Sequence, residues 1–386
     1  MTQKRIFIIA GENSGDIIGS KLLARFKQYD NIIFLGIGGP LMISEGLDSI
    51  FPMSEISIMG FMEVITSIPK ILKLINLTVK KIEAFRPDVI ITIDSPGFTK
   101  RVASRVKKIS NAHLIHVVAP TVWAYNPGRA KKYAQIFDLL FTLFPFEPPY
   151  FEREGLKTIF AGQFIFENDL CHNPSIFRKK NNVTPSEKLI CLTPGSRTQE
   201  VMSHLSIFLD ALLLLKEKFI IRPVIVASSE EIREIIKEIS QKKGFHNAII
   251  TLENKYEIYK AADLAIAKSG TNSLEIAMHE TPQLVCYKVN FFTWLYIKSV
   301  IKIKYANIIN IIAGHSIIPE LLQKDLNAQN LAAQAENLLM NQEAREEQIN
   351  NTRLILASLK NNKKSPSEIV CNEVMSILSK EAKPYT

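Results

Sequence analysis

Apolar residues recur along this chain in short unbroken runs, and each run ends in a turn that opens a helical pattern. Arg5-Ile-Phe-Ile-Ile-Ala10 runs into Gly11-Glu-Asn-Ser-Gly15-Asp-Ile-Ile-Gly19 and a helix. Leu189–Leu192 runs into Pro194-Gly-Ser-Arg197 and another helix, so an α/β unit starts twice, about half the chain apart. In the first half the pattern predicts strands at 5–9, 32–36, 89–94, 114–118 and 139–143. Helices are expected to begin near Ser14, Gly39, Ile65, Thr99 and Arg129. The second half predicts strands at 189–192, 223–227, 248–252, 264–267 and 283–287, again with helices between. Runs such as Val89-Ile-Ile-Thr-Ile93 suit parallel strands buried on both faces. The fold expected is therefore α/β, with two Rossmann-like, doubly wound domains facing a cleft.

The polar stretch 167–187 reads as a linker between domains 1–166 and 188–345. The tail, 346–386, is expected to form helices that pack back on the first domain. Ser365-Pro-Ser-Glu368 reads as a capping box, and Val370, Val374, Ile377 and Leu378 follow on one face.

Length and composition narrow the class. At 386 residues, 47% of them hydrophobic, the chain supports two cores. Its net charge of +9 fits an anionic substrate or an anionic membrane surface, and equally a merely solvated surface. No zinc-finger, helix-turn-helix or RNP-like pattern accompanies the charge, so nucleic acid is not an expected partner. The four cysteines form no CxxC pair; Cys191 and Cys286 sit in strand patterns as core residues, which suits a reducing cytoplasm. The apolar run after Arg5 is too short for a signal peptide, and no uncharged run approaches the ~18 residues that span a bilayer.

Candidate chemistry gathers at the ends of strands, where open α/β sheets bind ligands. Ser269, Gly270, Thr271, Asn272 and Ser273 open a helix after a strand. Small residues there let a pyrophosphate approach unpaired backbone N–H groups, and Glu275 can accept from ribose hydroxyls. An ordinary N-cap with a capping-box Glu explains the same letters. Gly195, Ser196 and Arg197 form the second glycine turn, where a guanidinium fork suits phosphate, unless Arg197 only pairs with Glu200. Asp94 ends a strand and can serve as general base, or can merely cap the next helix. Glu12 and Asp16 flank the first glycine turn and compete for that role. Two segments suit an apolar interface: 51–68, with Met59, Phe61 and Met62, and 291–305, which mixes aromatics with Lys298, Lys302 and Lys304. The second equally suits a core helix with snorkelling lysines. His113 and His116 point to opposite faces of a strand, no His/Cys/Asp cluster has ligand spacing, and no GxSxG elbow is present. Neither a metal, nor a cofactor, nor hydrolase chemistry is expected.

Taken together, several stretches resemble the lipid-A-disaccharide synthase family of GT-B type glycosyltransferases. They are AGENSGD (10–16), GIGGPLM (36–42), IMGFMEV (58–64), PDVIITIDSPGF (87–98), APTVWAYNPGR (119–129), LFPFE (143–147), PGSRTQEV (194–201), SGTNSLE (269–275) and NIIAGHSIIPELLQ (310–323). The resemblance implies that UDP-2,3-diacylglucosamine is joined to 2,3-diacylglucosamine 1-phosphate, with inversion and release of UDP. It makes Asp94 the base, lets Arg197 and Asn310 hold the nucleotide, and puts Glu12, Ser14 and Gly15 in the acceptor turn. It brings the segment with Met59, Phe61 and Met62 to lipid, at the inner face of a Gram-negative inner membrane, and it allows a homodimer. The C-terminal helix of such folds crosses back to the first domain. Three positions depart from the family pattern: Gly97 and Gln163 replace an Asp and a His, and His315 replaces an Arg. Two rival readings stay open. One is a UDP-N-acetylglucosamine 2-epimerase-like isomerase, and the other is an inactive homologue that only binds nucleotide or lipid.

Overall fold

The computed structural model describes residues 3–56, 61–168, 171–252, 255–300, 303–361 and 364–379, without the side chains of 61–67, 291–292 and 296–297. The chain divides into two compact units, one of residues 1–167 with 359–386 and one of 168–358.

Unit 1 carries seven strands: β1 Lys4–Ala10, β2 Ile32–Ile37, β3 Asp48–Ser49, β4 Val89–Ile93, β5 His113–Val117, β6 Leu139–Thr142 and β7 Thr158–Phe160. Their order in the sheet is 3-2-1-4-5-6-7, with every pairing parallel. Unit 2 carries β8 Glu187–Thr193, β9 Ile220–Val226, β10 Ile249–Thr251, β11 Leu264–Lys268, β12 Gln283–Tyr287 and β13 Glu320–Leu322. These lie in the order 10-9-8-11-12-13, also all parallel. Each unit is thus a doubly wound sheet whose winding reverses between its first and fourth strands. The central strands are the apolar runs. All five residues of β4 are buried, and each buried Ile or Val contributes roughly 1.5–3 kcal/mol.

Ten strands follow the hydrophobic pattern closely, while β3, β7 and β13 were not expected. All three are edge strands of two or three residues, too short to show a period. Cys191 and Cys286 are core residues, as expected. Helix Thr198–Leu215 is long and apolar enough to cross a membrane, but Val201, Leu205, Phe208, Leu209 and Leu212 are buried in the core of unit 2.

The expected linker and tail need correction. Residues 168–187 belong to unit 2, because helix Pro174–Lys180 is fastened there. Phe177 is buried in its core, and Arg178 pairs with Asp263 at 2.6 Å and donates to the Ala261 carbonyl. The polar surroundings of Phe177 hid both anchors. The tail splits at Leu359. Helix Gln342–Ser358 stays in unit 2, where buried Gln348 exchanges hydrogen bonds with the backbone of Gln283 at 2.7 and 3.1 Å. Helix Pro366–Ser379 joins unit 1 through Val370, Cys371, Val374 and Leu378, and Ser365 Oγ caps it by accepting from the Glu368 N–H.

Candidate functional site

Both winding reversals place chemistry at the carboxyl ends of strands. In unit 1, β1 and β4 are neighbours, with Ala10 in register with Ile93, so the turns after them lie side by side. A side chain on Gly11 would overlap Ser95, so the two turns touch only because Gly11 has none. The backbone beyond these strands is strained. Asp94 and Ser95 both have φ +48°, and Val118, just past β5, has φ +77°. A β-branched residue in that region is an outlier, and each such residue costs on the order of 1–3 kcal/mol. Strain of this kind clusters where function demands a geometry. Asp94 is held by its backbone: its N–H donates to the Val117 carbonyl at 3.0 Å, and its own carbonyl accepts from Thr99 Oγ1 at 2.7 Å. Burial raises the Asp94 carboxyl above its ordinary value, against the opposing hydrogen bond from Ser95. A carboxylate so desolvated is a better base than one in water.

Glu12 stands at the same edge, half-buried, in extended backbone before helix Asn13–Phe26, with Ser14 exposed and Gly15 buried behind it. Asp16 does not compete with it. Its buried carboxylate accepts from the backbone N–H groups of Gly39, Leu41 and Met42 at 2.9, 3.1 and 2.9 Å, which fixes the turn after β2. His116 is also structural: its Nδ1 lies 2.7 Å from Thr92 Oγ1, and burial lowers its pKa to about 3. Met59 lies outside the described residues. Phe61 and Met62 open helix Phe61–Phe85, on which Ile68 and Leu72 are exposed one turn apart.

In unit 2, the ends of β8 and β11 border a cavity of about 410 Å³. Gly195 and Ser196 line it from the first glycine turn, and Ser269, Gly270, Thr271, Asn272 and Glu275 from the second. Gly195 has φ +134°, which only glycine adopts easily. Asn272 Nδ2 donates to Thr193 Oγ1 at 2.7 Å, tying the two turns together. Ser269 and Ser273 face backbone carbonyls of Ala306 and Gly270. No side chain caps helix Asn272–Met278, so the capping-box explanation of Glu275 fails. Its carboxylate instead takes Lys255 Nζ at 2.7 and 2.9 Å and the Tyr256 hydroxyl at 3.1 Å.

Arg197 is not among the residues that line the cavity. It flanks Ser196, is 58% exposed, and lies 3.7 Å from Glu200. Glu200 does line it, with Oε2 accepting from the Ser196 N–H at 3.0 Å and Oε1 3.0 Å from Lys268 Nζ. Burial pushes the Glu200 carboxyl up, but Lys268, the Ser196 N–H and Arg197 outweigh it and hold the pKa below its ordinary value.

Asn310 lies inside its loop. It is fully buried and its amide is saturated. Nδ2 donates to the Ile318 carbonyl and to Glu320 Oε1, while Oδ1 accepts from the N–H groups of Ile317 and Ile318. All four hydrogen-bonding positions of the amide are taken, so Asn310 braces the loop that carries His315. Among the departures, Gly97 is exposed with open space around its Cα, and Gln163 is buried with Nε2 on the Leu143 carbonyl.

Three participants escaped sequence reasoning. Lys268 ends β11 immediately before the small-residue turn, a position that could have flagged it. Lys255 lies 20 residues before Glu275, and only the fold brings them together. Glu147 in unit 1 is almost wholly buried, with Trp123 Nε1 donating to Oε1 and the N–H groups of Leu143 and Phe144 donating to Oε2. Burial raises its pKa to about 7 despite these donors.

A family model described as lipid-A-disaccharide synthetase matches residues 6–374. A lipid-A-disaccharide synthase of Rickettsia bellii is 42% identical over 363 residues, covering 92% of this chain and 94% of that protein. One of Rickettsia typhi is 41% identical over 373 residues, covering 95% and 97%. Among solved structures, the S. aureus MnaA–UDP co-structure covers 100% of this chain and 99% of its own, at 15% identity and TM-score 0.65. UDP-GlcNAc 2-epimerase from Neisseria meningitidis bound to UDP-GlcNAc covers 96% and 100%, at 13% and 0.64. A glycosyltransferase from Rickettsia africae covers 99% and 100%, at 14% and 0.57. At such identities these structures speak for the fold alone.

Proposed function

The chain belongs to the lipid-A-disaccharide synthetase family and is a glycosyltransferase of lipid A biosynthesis, and from that premise we propose its substrates, its mechanism and its place of work. The donor is UDP-2,3-diacylglucosamine and the acceptor 2,3-diacylglucosamine 1-phosphate. Unit 2 holds the UDP moiety, with the diphosphate at the turns of Gly195–Arg197 and Ser269–Ser273 and the ribose at Glu275. Unit 1 holds the acceptor beside Asp94, with Glu12, Ser14 and Gly15 in the same turn. Asp94 takes the proton of the acceptor hydroxyl as its oxygen attacks the anomeric carbon. The C1–O bond to UDP breaks on the opposite face, so the configuration inverts. The observation that carries this reading is the desolvated carboxylate of Asp94 on a strained turn at the winding reversal of unit 1.

Catalysis is metal-independent in this reading. The enzyme works on the cytoplasmic leaflet as a peripheral protein, since both substrates carry acyl chains. The test is UDP release with acylated and non-acylated donors, with and without lipid acceptor, in excess chelator. Release should require acyl donor and acceptor together and persist in chelator. Turnover of UDP-N-acetylglucosamine alone would favour the epimerase reading, and UDP binding without turnover the inactive one.

A further inference from the structure

Among the described residues, four charged side chains line the cavity of unit 2, Lys255 and Lys268 beside Glu200 and Glu275, and Arg197 flanks it. A diphosphate entering there would meet two carboxylates, each already holding a lysine that the anion would otherwise bind. A carboxylate that releases its lysine favours the incoming anion. Glu275 is the less free of the two, since Lys255 grips both of its oxygens and Tyr256 donates to one of them. Glu200 is held differently. It takes one backbone N–H of the glycine turn and one ammonium, Lys268, and it reaches both from the first turn of helix Thr198–Leu215. A backbone N–H at a glycine turn together with a lysine is the donor set that binds phosphate oxygens. The close approach of Glu200 exists because Gly195 has no Cβ to bar it.

We propose that the Glu200 carboxylate occupies the place of the nucleotide's diphosphate, and that the entering diphosphate displaces it and takes over Lys268 as a direct ligand. The proposal deepens the reading of unit 2 as the UDP site and rests on it. Lys268 then does what a divalent cation does elsewhere. As the C1–O bond breaks, the leaving diphosphate gains one negative charge, and an ammonium already in contact stabilises that charge more than it stabilises the ground state. Glu200, swung outward, no longer opposes the incoming anion. Its contact keeps Lys268 in place on β11, which spares that side chain an entropy loss on binding.

The test is a set of affinities for UDP and for uridine, which lacks the phosphates. Lys268→Met should weaken UDP binding about 10- to 100-fold, the range of a hydrogen bond to a charged group, and leave uridine unchanged. Lys268→Arg should recover part of it. Glu200→Gln keeps an acceptor for the Ser196 N–H but removes the competing charge, so UDP should bind about 3- to 10-fold tighter with uridine again unchanged. Equal losses for UDP and uridine in Lys268→Met, or weaker UDP binding in Glu200→Gln, would mean that the pair only fastens the turn, and would overturn the proposal. If Lys268→Met does not fold, the arginine and glutamine variants decide the matter by the same ratio. Failure of the unaltered protein to prefer UDP over uridine would sink the reading of unit 2 itself. A normal preference that Lys268→Met leaves intact would sink only this proposal.

Discussion

Asp94→Asn tests the mechanism with little disturbance to the fold. The position has φ +48°, a region where Asn is as comfortable as Asp and where Ala would add roughly 1–2 kcal/mol of strain. The backbone hydrogen bonds of residue 94 to Val117 and Thr99 do not involve the side chain. The hydrogen bond from Ser95 to the carboxylate can pass to the Asn carbonyl oxygen. Stability should therefore change by no more than about 1 kcal/mol, the net worth of one hydrogen bond. Catalysis is another matter, since an amide cannot take a proton. A positioned general base supplies roughly 10²–10⁴-fold, about 2.7–5.5 kcal/mol of barrier, so kcat should fall by at least ~10². The pH profile gives a second signature. The base must be ionised to act, so activity is lost as pH falls through its pKa, and burial places that acid limb above the ordinary value of 3.8. The limb should vanish in Asp94→Asn. The assay is UDP release against pH, with melting temperature as control. Near-normal kcat, or an acid limb that persists in the variant, would refute the assignment and move the base to Glu12, next tested by Glu12→Gln.

Arg197→Ala should weaken UDP binding by about 1.5–3 kcal/mol, and Arg197→Lys should restore only part because the fork is lost; calorimetry with unchanged affinity in both would place the diphosphate elsewhere. Glu147 should make the protein less stable as pH rises. Its folded pKa of about 7 exceeds the reference 4.5, so its contribution is fully present below 4.5 and is lost by 7, on the order of 3 kcal/mol. Measured against Glu147→Gln, which does not titrate, the advantage of the unaltered protein in denaturant melts should shrink across that window, and a flat difference would remove the claim. Purified protein should bind anionic vesicles, partly released by high salt, which screens the basic residues and spares apolar insertion. Ile68→Ser with Leu72→Ser should lower vesicle binding and leave UDP affinity alone, since both side chains are exposed; undiminished binding would take that helix out of the membrane contact.

Where the sequence was legible, the reason is periodicity. A strand buried on both faces has to be apolar throughout, so β1, β4, β8 and β11 announce themselves, and with them the turns that follow. Winding then does the rest. Once β1 neighbours β4 and β8 neighbours β11, the glycine turns, Asp94 and the small-residue turn stand at the two reversal points. Short edges carry no such signal, and neither do anchors set in polar surroundings, such as Phe177 and Arg178, or Gln348 beneath β12.

The residues missed or left with two readings share one property: their role depends on partners that the folded chain supplies and no motif names. Asn310 looks like a ligand in a motif, but its four hydrogen bonds run to Ile317, Ile318 and Glu320. Asp16 looks like a rival base until three amides from the next turn are seen to hold it. Lys255 and Lys268 look like surface charges until each is found on a carboxylate in the cavity. A motif therefore says that a polar residue matters, whereas its count of hydrogen bonds says to what. A buried group already saturated by backbone braces the site. A group held only by an exchangeable partner is the one free to meet a substrate. By that measure the Glu200–Lys268 pair, with one replaceable anion between an ammonium and a backbone N–H, is the part of unit 2 built to change partners.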